Sequence, residues 1–202
     1  MKPILSILIP TILERKESFD ALFQRIYKMA QSCFLESGAL INIAWECDNK
    51  ELPIGTKRNM LYAKALGEYS MQLDDDDDIS DHFFNLVIPH LTGVDTITYQ
   101  EHCLINDIYY TSNHSLKYDD WAENVDGFDY VRTPFYKDII KTEIARFIPV
   151  PEKRYGEDHE WSRLIRPLLL TEEHIDKELY LYQHQSKPED FNSRYGITET
   201  NI

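Results

Sequence analysis

The chain has 202 residues, 43% of them hydrophobic and 12% aromatic, enough for one domain with a real core and too apolar for a wholly disordered protein. Its formal net charge of −14 disfavours nonspecific binding to duplex nucleic acid or to an anionic membrane.

Residues 4–10, ILSILIP, form a continuous apolar run ended by proline, which predicts a strand buried on both faces. The run is too short and lacks a small-residue cleavage site, so it does not read as a signal peptide. The following SFDALFQRIYKMAQSCFLES places Leu22, Ile26, Met29 and Cys33 on one stripe, at helical spacing, with Gly38 just beyond its end. LINIAWECD, residues 40–48, predicts a second strand ending in polar residues, and the β-α-β order favours a parallel crossover. A helix of good formers is expected between Gly55 and Gly67, then a third strand, YSMQLD, that runs straight into Asp74-Asp75-Asp76-Asp77-Asp78.

DHFFNLVIPHL predicts a short helix and GVDTITYQEHCLIND a strand. Residues 106–135 are polar and aromatic with weak periodicity. FYKDIIKTEIARF and HEWSRLIRPLLL are expected to be helical, the second broken by Pro167, and ELYLYQHQ has strand alternation before a polar tail. No run reaches the 18 apolar residues of a membrane span. Cys33, Cys47 and Cys103 lack CxxC spacing, so neither a disulfide framework nor a structural zinc site is expected, and a reducing, cytoplasmic setting fits. The whole predicts a single α/β domain with a mostly parallel central sheet flanked by helices.

In open parallel sheets, ligands bind beyond the carboxyl ends of the strands. Three strands here end in polar residues, at Thr11, at Asp48 and at Asp74–Asp76, so the acidic run stands where a site is expected. Hard carboxylate oxygens suit Mg²⁺ or Mn²⁺. A calcium loop fails on spacing: counted from Asp74, position 6 is Ile79 where glycine is needed and position 12 is Asn85 where glutamate is needed. Asp77 and Asp78 are expected to be solvated or to cap the next helix.

SILIPT, a second strand ending in aspartate, KRN…GEY…LDDDDD and a later GEDHEW together resemble family 2 glycosyltransferases of the GT-A nucleotide-sugar fold. The resemblance is strong over residues 3–80, moderate over 145–186 and poor over 90–140. It implies that Asp74, Asp75 and Asp76 are the DxD motif, with Asp74 and Asp76 on metal and nucleotide-sugar, and that Asp48 contacts the nucleoside. Lys57 and Arg58 would serve the base or diphosphate, Asp158 the role of general base with Glu157 beside it, and His184 in LYQHQSKPEDF would approach metal or diphosphate. The sequence CDNKE stands where the family usually has DDGS, so the resemblance leaves the nucleobase open.

The expected activity is therefore metal-dependent, inverting transfer from a nucleotide-sugar, UDP-linked by preference, to an acceptor hydroxyl. Residues 1–90 would form the donor half and 91–202 the acceptor and base half of one domain. The acceptor stays open among glycan, small molecule, protein, lipid-linked sugar and modified nucleic-acid base, duplex DNA being the least favoured; residues 118–124, with Asp119, Asp120 and Trp121, are candidates to contact it through stacking or hydrogen bonds. Two other classes compete. A sugar-phosphate nucleotidyltransferase is disfavoured because PTILERKE carries no glycine-rich loop, and a non-catalytic binding module would have no use for the acidic GED as a base.

Overall fold

The computed structural model describes residues 2–185. Its elements run β1 (Leu5–Ile12), α1 (Lys16–Ser37), β2 (Ile41–Asp48), α2 (Ile54–Lys64), β3 (Tyr69–Gln72), β4 (Asp78–Ile79), α3 (Phe83–Val87) and β5 (Thr96–Ile105). There follow β6 (Ile108–His114), β7 (Ala122–Val125), β8 (Phe128–Arg132), β9 (Ile139–Lys141), α4 (Thr142–Phe147), α5 (Glu157–Ile165) and β10 (Glu172–His184).

The strands form one sheet in the order β2-β1-β3-β9-β5-β6-β8-β7, with β10 beside β5 and bridging to β4. The parallel order predicted from the first half holds for β2, β1 and β3. Beyond β3 the sheet is mixed: β9 runs antiparallel to both β3 and β5, while β10 is parallel to β5. β1 is buried along nearly its whole length because it lies between β2 and β3 with helices on both faces.

Alternation along β1 feeds two cores. Ile7 and Ile9 pack with Leu22 and Ile26 of α1 and with Phe83 of α3; Leu8 faces Leu61 of α2, Tyr136 and Trp161 of α5. The α1 stripe buries Leu22, Ile26, Ala30 and Cys33, and the helix ends where Gly38 adopts φ 75° and its N–H closes on Phe34 O at 2.8 Å.

Two stretches depart from expectation. Residues 106–135 contain β6, β7 and β8; two-residue turns with positive φ join β5 to β6 at Asn106 and Asp107, and β7 to β8 at Asp126 and Gly127. Both central residues of a type I′ turn need that conformation, and it matches the twist of the flanking strands. The expected helix FYKDIIKTEIARF splits instead: Ile139 and Ile140 are fully buried as β9 between β3 and β5, and only Thr142–Phe147 is helical. Among the described residues no helix is long and apolar enough to cross a membrane, and Cys33 and Cys103 are buried free thiols while Cys47 is exposed.

Candidate active site

Beyond the carboxyl ends of β1, β2 and β3 lie two cavities that share a wall, Asp74 and Asp76. The first, about 360 Å³, is lined by Thr11, Arg15, Lys50, Lys57, Arg154 and Tyr155. The second, about 510 Å³, is lined by Asp158, His184, Lys137, Tyr182, Trp121 and Arg132, among others.

Each aspartate of the acidic run meets a cation, Asp75 and Asp76 sharing Arg15. Arg58 Nη1 donates to Asp74 Oδ1 at 2.9 Å and Nη2 to Oδ2 at 3.3 Å, while Tyr136 OH donates to the same Oδ2 at 3.0 Å. Burial alone would raise the Asp74 carboxyl, but Arg58 dominates and holds it below its ordinary range. Asp75 accepts from Thr11 Oγ1 at 2.7 Å and from Arg15 Nη1 at 2.6 Å.

Asp77 accepts from Tyr180 OH at 2.8 Å and from the Gln183 N–H at 3.0 Å, with Lys137 Nζ at 3.2 Å. Its burial pushes its pKa up to about 7. Asp78 begins β4 and meets Arg25 Nη1 at 2.6 Å. Asp77 is therefore buried, not solvated as the sequence led one to expect, and Asp78, partly exposed, begins a strand and caps no helix. The reason is that β10 and α1 bring Tyr180, Gln183 and Arg25 to them from far along the chain.

Asp76 differs from its neighbours. Its carboxylate is half-exposed, and Arg15 Nη1 lies 2.9 Å from Oδ2. Partial burial and then the charge of Asp74 raise its pKa, and Arg15 does not fully offset them. It is the most exposed carboxylate of the run.

The two cations expected to meet a donor are internal. Lys57 Nζ is buried between Thr11 O at 2.9 Å and Asp48 Oδ1 at 2.7 Å. Asp48 Oδ2 accepts from the Leu52 N–H at 2.8 Å. Burial works to raise Asp48, and the Lys57 ammonium with these N–H groups outweighs it, holding Asp48 below the usual carboxylate range. Arg58 is equally buried, with Tyr136 stacked over its guanidinium at 3.4 Å to the ring centroid and Glu157 Oε1 at 3.3 Å from Nε. Both side chains edge the first cavity as counterions of the protein's own carboxylates.

The GED motif opens α5, with Gly156 in the left-handed conformation at φ 72°. It splits in two directions. Glu157 turns inward onto Arg58; burial raises its pKa and Arg58 pulls it back. Asp158 is half-buried, accepts the His159 N–H at 2.8 Å and lines the second cavity. His184 ends β10 with its ring stacked on Tyr182 at 6.2 Å, and the later residues of LYQHQSKPEDF lie outside the described residues. In residues 118–124, Trp121 lines the second cavity, while Asp120 pairs with His159 Nε2 at 2.7 Å.

Among the described residues no three His, Cys, Asp or Glu side chains are grouped to hold a metal. Asp74, Asp76 and His184 thus line one cavity without forming a closed ligand set. The residues nonetheless fit a hard cation of the magnesium type, which takes one or two carboxylates and completes its shell with phosphate oxygens and water. Asp76 is the carboxylate with oxygens to give, since both oxygens of Asp74 are occupied by Arg58 and Tyr136.

Arg15, Lys50, Arg154 and Tyr155 were missed in the sequence. Arg15 and Lys50 had a signal, since each lies in the loop after a parallel strand, where ligands bind. Arg154 and Tyr155 had none. They arrive because Arg154 donates to the carbonyls of Lys50 and Glu51 at 3.2 and 3.1 Å, across more than a hundred residues.

No protein-family model matches the sequence, and no curated protein matches it. Solved structures do resemble it. S. aureus TarS 1-349 aligns with a TM-score of 0.60 at 16% identity, covering 94% of this chain and 62% of that one. A second crystal structure of S. aureus TarS gives 0.57 at 15% identity, covering 94% and 38%, and the complex of TarS 1-349 with UDP-GlcNAc gives 0.55 at 13%, covering 93% and 60%. The chain thus spans about 62% of the length of TarS 1-349. At these identities the likeness is one of fold: the chain is a mixed α/β domain of the GT-A type.

Proposed function

We propose that this GT-A-fold chain is a metal-dependent, inverting glycosyltransferase that moves a sugar from a nucleotide-sugar, UDP-linked by preference, to an acceptor hydroxyl. The observation that carries the reading is the shared wall: Asp74 and Asp76 separate a cation-rimmed cavity from a second cavity that contains Asp158. The complexes of S. aureus TarS 1-349 with UDP and with UDP-GlcNAc support the choice of donor class.

In this reading the nucleoside diphosphate lies in the first cavity, among Arg15, Lys50 and Arg154, and the sugar points past Asp76 into the second. The reading assigns about residues 1–90 to the donor and about 91–202 to the acceptor and base, with Arg154 and Tyr155 reaching across to the donor. Arg15 exchanges its contacts with Asp75 and Asp76 for phosphate oxygens, a charge-assisted interaction that favours the departing diphosphate. Lys57 and Arg58 act from behind, fixing Asp48 and Asp74. Asp158 accepts the proton of the acceptor hydroxyl as that oxygen bonds to the anomeric carbon and the bond from that carbon to the diphosphate breaks. Attack from the face opposite the leaving group inverts the centre. A divalent cation, held by Asp76 and the diphosphate, would supply Lewis-acid stabilisation of the leaving charge.

The test is a panel of nucleotide-sugars assayed for release of the free nucleotide, with Mn²⁺, with Mg²⁺ and with EDTA. Turnover of UDP-sugars that disappears with EDTA and with Asp76→Ala is expected. Turnover that survives both treatments refutes the metal assignment, and the absence of turnover and of UDP binding with any metal refutes the donor assignment.

A further inference from the structure

The second cavity is lined by two buried polar atoms without a hydrogen-bond partner, Ser112 Oγ and Trp121 Nε1, and by an arginine without a carboxylate partner. Arg132 ends β8, its guanidinium carbon 4.7 Å from the Trp121 ring centroid and 5.0 Å from that of Tyr130. Its hydrogen bonds go only to backbone carbonyls, Ala122 O at 3.2 Å and Val131 O at 2.9 Å, and among the described residues no carboxylate forms an ion pair with it. Ser112, on neighbouring β6, is 1% exposed and its Oγ has no partner; the Trp121 Nε1 is buried and likewise without one. Ser112 pairs with Tyr130 and His114 with Arg132 across β6 and β8, so Ser112 and Arg132 share a sheet face.

Of the other charges in this cavity, Asp76, Glu123 and Asp158 stand away from Arg132 without an ion pair to it, and Lys137 is already taken by carboxylates of the protein. Asp74 is held by Arg58, and Asp77 and Glu101 by Lys137 at 3.2 and 2.8 Å. Burial depresses the Arg132 pKa more than Glu101 and Glu123 restore it, so its charge is under-compensated. A guanidinium and an indole N–H are donors only, and a serine hydroxyl can serve as a third. Leaving such donors buried short of acceptors is unfavourable, so the complement is a group rich in acceptor oxygens and carrying negative charge. A neutral hydroxyl meets one donor and leaves the cation unmatched. A planar guanidinium backed by aromatic rings suits two-pronged contact with a carboxylate or phosphate.

We propose that Arg132, Trp121 and Ser112 form an oxyanion subsite in the second cavity that binds a carboxylate or phosphate borne by the acceptor. The proposal deepens the glycosyl-transfer reading, on which the word acceptor rests; the subsite itself is tested without transfer.

Binding of a hexuronate, a hexose 6-phosphate, inorganic phosphate and the matching neutral hexose to the full chain is measured by calorimetry. At least one sugar anion is expected to bind about tenfold or more tightly than the neutral hexose. The uronate and 6-phosphate arms distinguish carboxylate from phosphate, and inorganic phosphate reports whether the charge alone suffices. Arg132→Gln is expected to bring the anions to parity with the neutral sugar, Arg132→Lys to recover part of the preference, and Ser112→Ala to weaken anion binding severalfold. Ser112→Ala removes a hydroxyl that nothing in the fold satisfies, so it folds even if Arg132→Gln does not. Equal binding of anion and neutral sugar, no anion binding, or a preference intact in Arg132→Gln or in Ser112→Ala overturns the subsite. UDP titrations on the unaltered chain report on the first cavity alone, so loss of the donor reading is seen separately.

Discussion

Arg58 grips both oxygens of the Asp74 carboxylate, at 2.9 and 3.3 Å, from a position wholly inside the protein. Removing one partner of a buried pair strands the other charge, which costs about 3–5 kcal/mol. Asp74→Ala is therefore expected to lose stability on that scale. Asp76→Ala, which breaks a half-exposed contact with Arg15, is expected to cost about 1 kcal/mol or less and to abolish metal-dependent UDP binding. Urea denaturation of both variants, with calorimetric titration of UDP and Mn²⁺ on the second, decides. Equal stability losses would show that the two carboxylates do not divide the work as argued.

The two acids of the GED motif are separable in the same way. Asp158→Asn is expected to lower transfer by at least about a hundredfold with UDP affinity retained, as for loss of a general base. Glu157→Gln weakens the support of Arg58 and is expected to show first as lowered thermal stability. If transfer survives in Asp158→Asn, the base lies elsewhere in the second cavity.

Gly55 sits in the first turn of α2 with its N–H on Lys153 O at 3.2 Å, and a Cβ there would stand 1.9 Å from Pro151 O. Backbone meets backbone, so neither side can yield by a side-chain rotation. Gly55→Ala is expected to push away the 151–155 segment, and with it Arg154 and Tyr155, weakening UDP binding at a stability cost of about 1–3 kcal/mol. A UDP affinity equal to that of the unaltered chain would remove Arg154 and Tyr155 from the donor cavity.

His114 is buried between Asp138 Oδ1 at 3.0 Å and Glu101 Oε2 at 3.5 Å, the second long for a hydrogen bond but close for an ion pair. Burial works to lower its pKa, and the two carboxylates override it, pushing it up to about 9. A folded-state pKa above the ordinary value of about 6.5 gives stability that is complete below about pH 6.5 and lost as pH rises through 9. Unfolding free energies at pH 6 and pH 9.5 are expected to differ by up to about 3 kcal/mol from this group. His114→Gln is expected to flatten that slope, and a slope unchanged in the variant would assign it to another residue.

The order β1-α1-β2-α2-β3 was legible because strands buried on both faces are unbroken apolar runs and α1 carries a regular stripe. The strands β6, β7 and β8 were not, since they are half-exposed and mix tyrosines with polar residues. Their turns were written in the sequence all the same, as Asn106-Asp107 and Asp126-Gly127 between β-formers. FYKDIIKTEIARF misled because tertiary placement of Ile139 and Ile140 in the sheet overrides helical preference. The acidic run stood out as a candidate site because it follows a parallel strand. What could not be read was which cation each aspartate would meet, since those partners come from α1, α2, the first loop and the segment before β9.

That arrangement has a consequence for how the chain folds. In the unfolded chain, Asp74 to Asp78 are contiguous carboxylates that repel one another, and their partners are distant: Arg15 lies 60 residues from Asp75, Arg25 lies 53 from Asp78, and Gln183 lies 106 from Asp77. Such long closures must precede any reward from these contacts. The run therefore opposes collapse early and is fully compensated only once β10 has docked onto Asp77, so moderate salt, by screening the repulsion, should speed refolding of the apo chain.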